Sequence, residues 1–295
     1  MNFKDGLLLS LNVGKWGGGK KLTPDDLGLT TDQVPEFMKL GRKLLIPEDE
    51  RNAFTQIENN ARNALERESF AFPLGGARFV PRSKILEVDV KLKTYEEAYM
   101  AAVESFMDRY QEIREKMLET YPEHRDKLEP FYPASHQIRR LFHFGWSVFE
   151  IGEAGGIQEG ETVEAYERFK ANLQTQFDKF LEDAVVDLRF QVQETCLRTA
   201  ERIAKGEVVN GNSIKALHSM IDRFTTLNFV GDAKIEDQLN KLRDTLQTTD
   251  SASLKENDTL KNQLGVMAAS IAKDAADISD VSEITGTYKR RIEMD

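Results

Sequence analysis

The sequence predicts a mainly α-helical protein: an elongated antiparallel coiled-coil or helical bundle with a small N-terminal α+β head. Three observations predict it. Residues 82–120 and 161–205 repeat apolar side chains every three or four positions, far longer than one face of a compact core needs. Charged residues make up 31 % of the chain against only 8 prolines, which suits long solvated helices. Residues 1–81, by contrast, open on a period-two stretch at 6–13, follow it with a glycine-dense loop and return to turn and strand at 70–81.

In the head, Leu7, Leu9, Leu11 and Val13 alternate with Leu8, Ser10 and Asn12, the pattern of a strand. The run Gly14-Lys15-Trp16-Gly17-Gly18-Gly19-Lys20-Lys21 reads as a loop that exposes Trp16 and Lys20. Thr23-Pro24-Asp25-Asp26 has the form of a cap with Pro at the first helical position, and Gly28 ends that element at once. A second short element is expected over Gln33–Leu40. Pro47 and three acids open a firmer helix through Phe54, Ile57, Ala61 and Leu65, and residues 70–81 return to turn and strand.

The first long helix carries Ile85, Val88, Leu92, Tyr95, Tyr99, Val103, Phe106, Tyr110, Ile113 and Met117; Val88 and Val90 leave a strand open at its start. Pro122 stops it. Residues 122–160 form an aromatic tip, with a short helix near 134–149 and then a loop through Gly152, Gly155, Gly156 and Gly160. The second long helix runs through Val163, Tyr166, Phe169, Leu173, Phe177, Phe180, Ala184, Leu188, Val192, Cys196, Thr199 and Ile203, with Gly206 as its cap. About 40 residues at 1.5 Å each give about 60 Å, so the two long helices are expected to lie antiparallel. Helices are expected next over 212–228, 234–247 and 254–281, the last after a Thr248–Ser253 linker, and the end through Tyr288-Lys289-Arg290-Arg291 reads as a polar tail. The expected domains are therefore a head (1–81), a helical hairpin (82–206) with its tip at 122–160, and C-terminal helices (207–295).

With 40 basic and 50 acidic side chains the formal net charge is −10, a field that repels phosphate backbones and anionic lipid heads. A single cysteine, Cys196, forms no internal disulfide, and a cytoplasmic protein is expected. No signal-like segment or run of about 18 apolar residues is seen, so no membrane span is expected.

No chemical motif is complete. Gly14-(x)4-Gly19-Lys20 has phosphate-loop spacing, but Lys21 stands where the magnesium-binding Ser or Thr belongs, so nucleotide binding is an alternative only. His124, His136, His143 and His218 lack metal-ligand spacing, and no metal or cofactor is expected. Cys196 lies on an apolar stripe, the place of a buried thiol. Arg139-Arg140 beside Phe142, Phe144 and Trp146 reads as arginines rimming an aromatic core face, with base stacking as the competing reading. The candidate partner-binding residues are Trp16, Lys20, Lys21, Arg139, Arg140 and Trp146.

These landmarks come in a recognisable order. The N-terminal strand, the Trp16 loop running into Lys21-Leu22-Thr23-Pro24-Asp25-Asp26-Leu27-Gly28, the Phe-rich turn at 70–81 and the Phe142-His143-Phe144-Gly145-Trp146-Ser147-Val148-Phe149 block resemble an uncharacterised family of bacterial and phage proteins. The resemblance spans residues 1 to about 205. That family is typically encoded beside a MoxR-type AAA+ ATPase and a von Willebrand factor A protein. It has no established catalytic residues, so none carry over. The resemblance implies a phage or mobile-element setting and a protein partner, the ATPase system, for which this chain would be an accessory component. The function expected is a non-enzymatic adaptor. A self-assembling structural coiled coil is the alternative, forming homo-oligomers.

Overall fold

A computed structural model describes residues 5–35, 37–150, 163–207, 209, 211–247 and 257–294. The protein is mainly helical with a small antiparallel sheet. It divides into two compact units that interleave along the chain: Met1–Leu9, Arg67–Ile85 and Val148–Asp295 form the first, Ser10–Glu66 and Leu86–Ser147 the second. The first long helix from Leu86 on thus belongs to the second unit and the second long helix to the first.

In the first unit, the start of strand β1 (Gly6–Gly14) pairs antiparallel with β5 (Arg78–Pro81), and β5 pairs with β4 (Phe70–Ala71). The β4–β5 turn uses Gly75 and Gly76, both at positive φ. This hairpin sets Phe70, Phe72 and Phe79 edge-on against Phe180 of α5 (Val163–Ala204), with ring centroids 4.9 to 6.4 Å apart. Phe229 stacks on Phe180 at 6.3 Å.

Helices α6 (Gly211–Leu227), α7 (Ala233–Gln247), α8 (Asp258–Ala276) and α9 (Val281–Met294) complete this core. The α5 stripe from Phe177 to Ile203 is buried as its spacing predicts. Gly206, at φ 71°, caps it, with the Gly206 and Glu207 N–H groups donating to the Ile203 and Arg202 carbonyls. Gly265 of α8 lets that helix approach α5 closely: a Cβ there would stand 2.9 Å from Ile203 Cγ2.

The second unit holds the rest of β1, the ribbon of β2 (Gly19–Lys21) and β3 (Arg42–Leu44), α1 (Glu48–Arg67) up to Glu66, α2 (Ile85–Thr120) from Leu86, and the short helices α3 (Arg125–Leu128) and α4 (Ser135–Arg139). The start of β6 (His143–Phe149) lies beside β1. Helix α2 buries Val88, Leu92, Tyr99, Val103, Phe106, Tyr110, Ile113 and Leu118, whereas Val90 is exposed. That is helical periodicity from the first turn, so no strand forms there. Three tyrosines, two buried and Tyr132 half-buried, anchor loops: Tyr99 donates to the Gly14 carbonyl (2.7 Å), Tyr110 to that of Pro133 (2.9 Å) and Tyr132 to that of Leu45 (2.6 Å).

Several expectations are corrected. The helix expected near 134–149 ends at Arg139, and the aromatic block forms strand β6 instead. Phe142 and Phe144, two residues apart, both point into the core, the strand period, with Phe142 4.9 Å from Phe54. Among the described residues of the segment expected to be a second element, no helix or strand follows the short turn Thr31–Gln33. The helix expected over 254–281 is α8, which ends at Ala276; α9 begins only at Val281, after the turn Asp277–Asp280. The expected polar tail is α9, because Tyr288 is 1 % exposed and donates to Asp5 (2.7 Å). The Gly152–Gly160 loop and the Thr248–Ser253 linker lie outside the described residues, as do the side chains of Tyr166 and Phe169.

Candidate functional site: the β2–β3 excursion

The glycine loop is built for packing. Gly14 makes room for His143: a Cβ there would stand 2.1 Å from the ring's Cε1. His143 Nε2 lies 3.1 Å from Asn12 Oδ1. Gly18 has φ 56°, and its Cβ would meet Ile46 Cγ1 at 2.5 Å. Lys15 reaches Glu58 (2.8 Å) and Thr55 (3.0 Å) on α1. Gly19 and Lys20 open strand β2, so the loop lacks the helix N-terminus that a phosphate loop aims at its ligand.

Trp16 is corrected from exposed to buried. It is 8 % exposed and packs edge-on against Tyr110 at 5.8 Å and near Phe106 at 6.3 Å. Lys20 is exposed, as expected, though on strand β2 and not in a loop, and Lys21 beside it is exposed as well. In the ribbon register Lys20 faces Lys43 and Lys21 faces Arg42, two like-charge pairs directly opposite. Lys43 is compensated by Asp26 (2.6 Å) and lies 3.8 Å over the Phe131 ring. The Lys43 hydrogen bond is the largest influence holding the Asp26 carboxyl down to about 2. Arg42 donates to the Gly19 carbonyl at 3.1 Å.

Between the two strands lies an excursion whose described residues, 22–35 and 37–41, are tied by several hydrogen bonds. Thr23 N and Oγ1 both donate to Asp26 Oδ2 at 2.8 Å, and Pro24–Leu27 forms a single 3₁₀ turn. Thr30 N donates to Gln33 Oε1 at 2.8 Å, Met38 N to the Pro35 carbonyl at 2.8 Å, and Leu22 N to the Gly41 carbonyl at 3.0 Å. On this frame Leu27, Leu29, Phe37 and Met38 stand exposed, Phe37 at 83 %. Pro24, Val34, Pro35, Met38, Lys21 and Lys39 are among the residues lining an open groove of about 1120 Å³.

The remaining candidates lie elsewhere. Arg139 pairs with Glu104 (2.5 Å), Arg140 is exposed at the end of α4, and Trp146 donates to Asp89 (3.0 Å). Burial raises the Cys196 thiol to about 12, which silences it as a nucleophile. Among the described residues no group of three His, Cys, Asp or Glu side chains is placed to hold a metal ion, and no helix is long and apolar enough to cross a membrane.

Two features escape a reading by spacing. One is the apolar surface of the excursion, whose signal is four large apolar residues scattered among caps and prolines without periodicity. The other is Arg189, fully buried on α5. It pairs with Asp232 (Nε–Oδ2 2.6 Å) and forks onto Asp280 (2.6 and 3.2 Å), and it also donates to the Asp277 carbonyl. Its cue is a cation in register with Val185, Val192 and Cys196.

The fold and the site define a mainly helical protein with a small antiparallel sheet and a hydrogen-bonded loop that exposes apolar side chains. The model of DUF3150, a family of proteins of unknown function, matches residues 4–273, and the chain belongs to that family. No curated protein and no solved structure matches it.

Proposed function

We propose that this chain is a non-enzymatic interaction protein of the cytoplasm, an adaptor or accessory subunit that docks a protein partner on the β2–β3 excursion. One observation carries the reading: Leu27, Leu29, Phe37 and Met38 are held in water on a backbone fixed by side-chain and main-chain hydrogen bonds. Exposed apolar side chains on a hydrogen-bonded frame lower the ordering cost of association, the property of a binding surface. The sequence resemblance supplies the partner, a MoxR-type AAA+ ATPase acting with a von Willebrand factor A protein, in a phage or mobile-element setting. Affinity purification of the tagged chain from its native host, read by mass spectrometry, tests this. A stoichiometric AAA+ ATPase is expected; its absence removes the adaptor reading.

A second reading, self-assembly, draws on α5. Val186, Phe190 and Leu197 are exposed there at four- and seven-residue spacing, a short seam suited to a second copy. Light scattering behind gel filtration decides it, because a concentration-independent monomer leaves the seam without that role.

A further inference from the structure

The charge of the excursion narrows its partner, granted the reading above that it is a docking surface. We infer that the β2–β3 excursion binds an acidic peptide segment that carries apolar anchors, with Lys20, Lys21 and Lys39 meeting its carboxylates and the Pro24–Val34–Pro35–Met38 groove taking its apolar side chains.

The chain as a whole is acidic, at −10, yet the ribbon sets Lys20 and Lys21 directly opposite Lys43 and Arg42. Such an arrangement is self-repelling unless anions lie nearby. Asp26 and the Phe131 ring answer Lys43, and the Gly19 carbonyl answers Arg42. Lys20 and Lys21 make no ion pair among the described residues, and both are exposed. Lys21 and Lys39 line the groove itself, beside the apolar Pro24, Val34, Pro35 and Met38. Cations bordering an apolar floor are complementary to a segment in which Asp or Glu alternates with large apolar residues.

A nucleic acid fits the same place poorly. Asp25 and Asp32 are exposed on the excursion, Asp32 lining the groove, so a partner's negative charges must meet the lysines and skip Asp32, which spaced carboxylates of a peptide can do and the unbroken charge of a phosphate backbone cannot. The apolar floor has no counterpart in a sugar–phosphate chain. A peptide uses both parts.

The test is fluorescence anisotropy with the full chain and a labelled synthetic peptide in which Glu and Leu alternate. Its controls are the same peptide with Gln for Glu, and an oligothymidylate. The Glu–Leu peptide is expected to bind at least tenfold more tightly than the Gln version, to weaken with salt, and to lose at least tenfold in affinity for the Lys20→Glu/Lys21→Glu chain. Both lysines are exposed, so that variant is expected to melt no lower than the wild type by circular dichroism. Absence of peptide binding, equal binding of the Gln peptide, indifference to the double substitution, or preference for the oligothymidylate each overturns the inference. An ATPase recovered from the host while the peptide fails to bind sinks this inference and leaves the adaptor reading standing. A failed recovery sinks the adaptor reading itself.

Discussion

Arg189 in the first unit and the Lys20–Lys21 pair in the second are cations in opposite settings. Arg189 is 0 % exposed, and every direction of its guanidinium is answered: Asp232 at the start of α7, Asp280 at the start of α9, and the carbonyl that ends α8. It ties two inter-helix turns, α6–α7 and α8–α9, to α5, which is a structural task. Lys20 and Lys21 stand in water facing two further cations, and removing them costs the fold nothing that the contacts reveal. Charge that the fold has already neutralised holds structure; charge left exposed is available to a partner. Aromatic side chains divide the same way. Trp16 and Phe54 are locked within the second unit, whereas Phe37 of that unit stays outside.

Breaking the buried side of this contrast has the largest expected effect. Arg189→Met leaves Asp232 and Asp280 unpaired and is expected to destabilise by about 3–5 kcal/mol in urea titrations. Adding Asp232→Asn and Asp280→Asn recovers most of that loss if the penalty is uncompensated charge. Trp16→Ala, one loop away from Lys20, is expected to cost about 3–5 kcal/mol, because it empties a space bounded by Phe106 and Tyr110. A neutral result would return Trp16 to the surface. Gly265→Ala pushes α8 off Ile203 and is expected to cost about 1–3 kcal/mol, read as a lower melting temperature.

Acid sharpens the contrast further. Hydrogen bonds from Arg189 hold the Asp280 carboxyl below its ordinary 3.8, and Lys43 does the same for Asp26. A depressed carboxylate contributes its full stability above the ordinary value and loses it as pH falls through the depressed one. Urea midpoints are therefore expected to hold from neutral pH to about pH 5 and to drop below about pH 4. That drop is expected to be smaller in Arg189→Met. The smallest effect is expected for Lys20→Glu/Lys21→Glu. It removes two like-charge pairs and shifts stability by less than about 1 kcal/mol, in the stabilising direction.

Much of the helical body is legible in the sequence because it obeys one rule. Val88 to Ile113 and Phe177 to Ile203 keep helical spacing, and those residues are buried. Gly206, the Thr23-Pro24 cap and the 70–81 hairpin come from local chemistry of the same kind. The aromatic block misleads because Phe142, Phe144 and Trp146 recur at two, while Arg139 and His136 before them continue a helical rhythm. Tyr288 reads as tail because its partner, Asp5, lies at the other end of the chain. Interleaved units are invisible to any linear scan, since β1 and β6 each contribute to both. Of the candidate site, Lys20 and Lys21 are found from charge. Phe37 and Met38 are not, because exposure of an apolar residue outside any period leaves no pattern to read.

The central claim is that the excursion is the contact surface. The most direct measurement is a side-by-side affinity purification, from the native host, of the wild-type chain and a Lys20→Glu/Lys21→Glu/Phe37→Asp chain, with isotope-labelled mass spectrometry of the co-purifying proteins. At least a tenfold loss of one stoichiometric partner from the variant, with the variant's melt unchanged, is the predicted result. Equal recovery of that partner by both chains would contradict it.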